Sequence, residues 1–221
     1  MKKTLVLAAA LGFVVLMALP AHATNHWPTR WGIQAINVYP SNTTGWTQNQ
    51  KDAVADSINK WNNAAGFGDP VLQWWPSLPK SWDGCLQTNV NVVIEKVAPG
   101  WLNGARGDTA ICDGQGTTNI FHAWMRVETG IGSDDPYWGS DSPEPNNTMG
   151  MRGVITHEFG HVLGFSGHWD SDHPSWCDQS AGSPSWHTMC NGPWKSDSGD
   201  PRENISYTLH ADDRDSFDNA Y

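Results

Sequence analysis

The chain has 221 residues and a formal charge of −10, with 13 lysines and arginines set against 23 aspartates and glutamates. An acidic balance of this size argues against nucleic acid and anionic membranes as partners. The first 23 residues, MKKTLVLAAALGFVVLMALPAHA, join two lysines, an apolar run from Leu5 to Leu19 and a small-x-small end at Ala21 and Ala23. That is the pattern of a secretory signal peptide, and the run is too short for a membrane span. Cleavage after Ala23 is expected to release residues 24–221 as one exported, monomeric domain. Its charge becomes −12, because the segment removed carries two lysines and no acidic residue.

In chain order, "WGIQAINVYP" (31–40) alternates and stops at proline, which suits a first strand. "TQNQKDAVADSINKWNNAAG" then opens on a capping box, Thr47 with Gln50, and spaces Ala53, Val54, Ile58 and Trp61 along one helical face before Gly66. Residues 88–97 and 118–129 alternate into β-branched and aromatic side chains and read as two more strands. Residues 130–147 are rich in Gly, Ser, Asp and Pro and read as loop. A second helix is expected in "MGMRGVITHEFGHVLG", with Gly164 as a left-handed cap, then an irregular stretch over 165–208 and a short last helix over 209–221.

The four cysteines, Cys85, Cys112, Cys177 and Cys190, all follow the signal, and none of the spacings is C-x-x-C. An even count in an oxidising compartment reads as two disulfides. Local pairing is expected, Cys85 with Cys112 and Cys177 with Cys190. The second bridge would hold the irregular stretch. The 14 tryptophans, among them Trp74, Trp75, Trp169, Trp176, Trp186 and Trp194, are read as core and cleft wall, with a ligand-stacking surface as the alternative.

The chemistry is concentrated in "VITHEFGHVLGFSGHWD", residues 154–170. Residues four apart on a helix are rotated by about 40° and stacked one turn up, so His157 and His161 offer two imidazoles to one point. Glu158, beside the first of them, is aimed next to a metal rather than at it, where it can accept a proton from water. A catalytic zinc needs a third protein ligand. Gly164 lets the chain turn back to supply one. His168 is the first candidate, and Asp170 and His173 on the same loop remain alternatives.

This stretch resembles the metzincins, zinc endopeptidases with the signature H-E-x-x-H-x-x-G-x-x-H and a downstream methionine turn. "HEFGHVLGF", the Met189 of "SWHTMCN" and the final "LHADDRDSFDNAY" sharpen the resemblance to a matrixin-like domain. The resemblance implies an α+β fold: a twisted, mostly parallel sheet with two main helices, one of them the active-site helix, a methionine turn and a short C-terminal helix. It implies catalytic Zn2+ on His157, His161 and His168, Glu158 as general base, and Met189 as an apolar floor beneath the ligands. It also implies that Pro193 and Trp194 wall a substrate pocket, and that Asp134, Asp135 and Asp141 bind structural Ca2+ unless they form a solvated acidic loop. Protein or peptide substrates follow.

The sequence departs from the family pattern twice. His168 lies one position later than the signature places its third histidine, with Gly167 in the expected place. The domain is also expected to begin within about ten residues of the cleavage site, and the first cysteine is Cys85, so latency through an N-terminal cysteine has no counterpart. Two rival readings remain. One is a non-catalytic binding module for protein or carbohydrate with a remnant zinc helix, which leaves Glu158 without a purpose. The other is a gluzincin, for which Glu203 is the only later glutamate and lies in the unhelical setting "GDPRENIS".

Overall fold

The computed structural model describes residues 30–43, 45–66, 68–82, 90–98, 100–103, 107–113, 119–129, 151–165 and 188–189, with Leu209, Asp213 and Phe217 as single positions. In chain order they form β1 (Arg30–Trp31), β2 (Ala35–Pro40), α1 (Gln48–Ala64), β3 (Val71–Trp74), β4 (Val92–Val97), β5 (Gly107–Asp113), β6 (Asn119–Glu128) and α2 (Met151–Val162). Strands follow the order β1-β6-β4-β2-β3, and β5 pairs with β6. All pairings are parallel except that of β5, which runs antiparallel to β6 from Gly107 opposite Val127 to Asp113 opposite Ile120. The class is α+β, a mostly parallel sheet with two helices.

The expected first strand is divided. Trp31 belongs to β1 and pairs with Ile120 of β6, residues 32–34 bend, and β2 begins at Ala35 between β3 and β4. Alternation marks extended chain but carries no information about which neighbour a strand takes, so the break was not legible. β3 and β5 were also missed: "VLQW" is short, and "GDTAICD" opens on two residues, Gly and Asp, poor in strand propensity.

α1 begins as its sequence dictates. The Gln50 backbone N–H donates to Thr47 Oγ1 at 3.3 Å, and Gln50 Oε1 accepts from the Thr47 N–H at 3.0 Å, which closes the capping box. Its apolar positions 53, 54, 58 and 61 meet alternate residues of the strands, such as Val38, Ile94 and Met125, in one core that also takes in α2. The two helices share a polar seam inside that core. Trp61 Nε1–H donates to the Thr156 carbonyl at 2.8 Å, Thr156 Oγ1 lies 3.0 Å from Ser57 Oγ, and Arg152 pairs with Asp56 at 3.0 Å. Hydrogen bonds are directional where apolar contact is not, so this seam fixes how far α2 slides along α1.

The opposite face of the sheet carries a second cluster, in which Trp82 stacks on Trp124 with ring centroids 5.5 Å apart. Trp31 and Trp61 are core residues, whereas Trp75 and Trp101 are exposed. Cys112 of β5 is buried and disulfide-bonded; its partner, and Cys85, Cys177 and Cys190, lie outside the described residues. Asp213 and Phe217, within the expected last helix, are helical. Among the described residues, no helix is long and apolar enough to cross a membrane.

Candidate active site

α2 is buried on nearly every side, from Met151 to Val162, with His157 and Glu158 among its buried positions. A helix surrounded by protein holds its polar side chains in place only if they find partners. Each histidine does so through a backbone carbonyl. His157 Nδ1 lies 2.6 Å from the Thr188 carbonyl oxygen, and His161 Nδ1 lies 2.8 Å from that of Phe165. A carbonyl can only accept, so each Nδ1 carries the hydrogen and donates it. In a neutral ring Nε2 is then the acceptor nitrogen, and the two Nε2 atoms lie 3.2 Å apart. Two lone pairs at that distance repel unless a proton or a cation lies between them.

The second carbonyl is delivered by the end of the helix. Gly164 has φ 109°, a conformation closed to most side chains. Its N–H donates to the His161 carbonyl at 3.0 Å, and the Phe165 N–H donates to that of Gly160 at 3.1 Å. This pair of bonds is a Schellman cap, and it confirms the left-handed glycine expected from the sequence. The chain reversal turns the Phe165 carbonyl toward His161, while the Phe165 ring packs 5.6 Å from that of Trp61. The first carbonyl comes from the turn at Thr188 and Met189. The Thr188 N–H donates to Asp213 Oδ2 at 2.9 Å, so a buried carboxylate holds the residue whose carbonyl orients His157. Met189 is fully buried beneath α2, where Gly160 leaves it room: a Cβ there would overlap the methionine sulfur.

Glu158 is 4% exposed. Thr109 Oγ1 of β5 donates to its Oε2 at 2.8 Å. Burial pushes the carboxyl up to about 8, against the Thr109 hydroxyl, which lowers it, and with the Asp108 carboxylate adding to the rise. The buried acid and the two imidazoles thus lie on one stretch of α2.

The donors suit zinc. With bonds of about 2.0–2.1 Å, two nitrogens 3.2 Å apart subtend roughly 100° at the metal, near the tetrahedral angle. Nδ1 hydrogen bonds to carbonyls are also the usual way that ligand histidines are oriented. Among the described residues, no group of three His, Cys, Asp or Glu side chains gathers. His168, Asp170 and His173 lie outside the described residues, as do Pro193, Trp194, Asp134, Asp135 and Asp141.

The structure brings together His157, Glu158, His161 and Met189 from the sequence reading. It adds Thr109, Gly107, Thr188 and Asp213, which that reading did not single out. Asp213 stood in the quoted "LHADDRDSFDNAY" and could have been found there. Thr109 could not, because nothing local links it to a helix 49 residues later. No protein-family model matches this chain, and no curated protein matches it.

Proposed function

We propose that this chain is an exported zinc-dependent endopeptidase with a metzincin-like, matrixin-type catalytic domain. The observation that carries the reading is the pair of Nε2 atoms 3.2 Å apart, each ring held at Nδ1 by a carbonyl, on a helix that also carries the buried Glu158. The mostly parallel sheet with two helices is compatible with such a domain, and the buried Met189 supports the reading.

His157 and His161 would hold the zinc, with His168 the third ligand expected from the sequence. When bound, zinc supplies Lewis acidity to the attacking water and to the scissile carbonyl. Glu158, as the carboxylate, accepts a proton from that water and passes it to the leaving amine. The carbonyls of Thr188 and Phe165 hold the imidazoles in the ligating tautomer. Met189 closes the underside of the site against water. A pocket at Pro193 and Trp194 belongs to the same proposal, as do protein or peptide substrates and a monomeric, secreted form; Asp134, Asp135 and Asp141 are read as a solvated acidic loop, with structural Ca2+ as the alternative. The rival binding-module reading draws on exposed Trp75 and Trp101. It gives no account of why a carboxyl is buried beside two histidines.

The test is metal analysis with a casein-type cleavage assay, with and without chelator. About one zinc per chain is expected, lost together with activity on chelation. Glu158→Gln should keep the metal and lose nearly all turnover, because the amide cannot accept the proton, whereas His157→Ala or His161→Ala should lose the metal as well. Metal-free protein that still cleaves, or a glutamine variant with near-normal rates, would refute the assignment.

A further inference from the structure

β5 passes so close to α2 that it touches Glu158 at two points. Thr109 Oγ1 donates to Glu158 Oε2 at 2.8 Å, with the Glu158 backbone carbonyl a more distant acceptor at 3.3 Å. At Gly107 a Cβ would lie 2.9 Å from Glu158 Oε1, 2.8 Å from its Cγ and 2.7 Å from Val154 Cγ1. Any side chain there would push the strand and the carboxyl apart. Residues 107 and 109 point to the same side of the strand, and Asp108 between them points to the other.

On that other side Asp108 is anchored. Arg126 Nε donates to its Oδ1 at 2.7 Å, and Nη2 donates to Oδ2, so the pairing is bidentate. The guanidinium itself is gripped between two rings, 5.0 Å from the Trp101 centroid and 4.5 Å from that of Trp124. The outer face of the sheet therefore fixes β5 at the one residue that lies between its two contacts with Glu158.

We propose that Thr109 is the positioning residue for Glu158: its hydroxyl holds Oε2, so that Oε1 is the oxygen left to accept and release the proton. The Arg126–Asp108 pair keeps Thr109 at the right height. The proposal rests on the peptidase reading, in which Glu158 is the base. A carboxylate that could rotate freely about its last torsion would spend much of its time with neither oxygen aimed at the water, and small misplacements of a reacting group are costly in rate.

Thr109→Val removes the hydroxyl at nearly constant volume, and Thr109→Ser restores it. In the zinc-loaded chain, the valine variant should lower kcat by about ten- to a hundredfold, the usual range for an oriented partner of a site residue. KM should stay within about twofold. Zinc content and thermal midpoint should match those of the wild type, and serine should recover most of the rate. On a Glu158→Gln background the valine change should cost nothing further, because its effect travels through the carboxylate.

An active wild type whose valine variant turns over within about twofold of it would overturn the proposal alone. Loss of rate accompanied by loss of zinc or a lowered midpoint, or a serine variant no better than valine, would also overturn it by making Thr109 structural. A wild type that cleaves nothing, or one indifferent to Glu158→Gln, would instead remove the peptidase reading on which it rests.

Discussion

At His157 and His161 the motif spacing stated which atoms converge, but the carbonyls that choose their tautomer came from Thr188 and Phe165, which no spacing rule names. The same holds for Glu158: its place beside the first histidine was legible, and its burial under β5 was not. That burial has a thermodynamic consequence in chelator-treated protein. With its pKa raised from 4.5 to about 8, native Glu158 keeps a proton that the unfolded chain gives up. The contribution is complete below 4.5, declines as pH rises, and is lost by the time pH has passed through about 8. Wild type should therefore lose stability across that window more steeply than Glu158→Gln, which binds no proton in either state. Urea unfolding of both proteins at several pH values checks this, and parallel curves would show that the carboxyl is not displaced. Saturating zinc should flatten the difference, since a dication beside the carboxylate favours its charged form.

α1 and α2 were the elements most legible in the sequence, because a capping box, a helical stripe and a terminal glycine are local signals; Thr47, Gln50 and Gly164 do what their positions predicted. β5 was illegible for the opposite reason. Its residues are held by pairing with β6 and by contact with α2, both distant in sequence. Gly160 shows how far a local rule can mislead. In an exposed helix, Gly→Ala gains about 1 kcal/mol. Here the new methyl would overlap the Met189 sulfur and come within 3.2 Å of Trp61 Cζ2, so the floor of the site must shift. Overpacking of this kind costs about 1–3 kcal/mol. Gly160→Ala should lower the thermal midpoint and weaken zinc binding together, measured by scanning calorimetry and metal titration. A variant more stable than wild type would mean that Met189 moves aside freely.

Across the whole molecule, the histidine side of the site is built from the last third of the chain: α2 carries His157 and His161, Thr188 orients the first of them from 31 residues away, and Asp213 holds Thr188 from 25 residues further on. Metal binding should thus couple segments that are remote in sequence, and the third-ligand candidates expected from the sequence lie between Phe165 and Thr188. Phe165 is pinned beside the site by its carbonyl on His161, its N–H on Gly160 and its ring against Trp61. From that fixed point, His168 is three residues away, a reach of about 10 Å when extended. Gly167, directly before it, tolerates the dihedral angles that one surplus residue in the loop demands. Asp170 and His173 would have to travel further and return. His168→Ala should therefore reduce zinc affinity by orders of magnitude, while Asp170→Ala and His173→Ala leave it almost unchanged. Deleting Gly167, which restores the spacing of the metzincin signature, should be tolerated at least in part. Zinc retained by His168→Ala and lost by His173→Ala in a competition titration would mean that the loop takes a different course after Phe165, and that the resemblance in ligand spacing ends at Gly164.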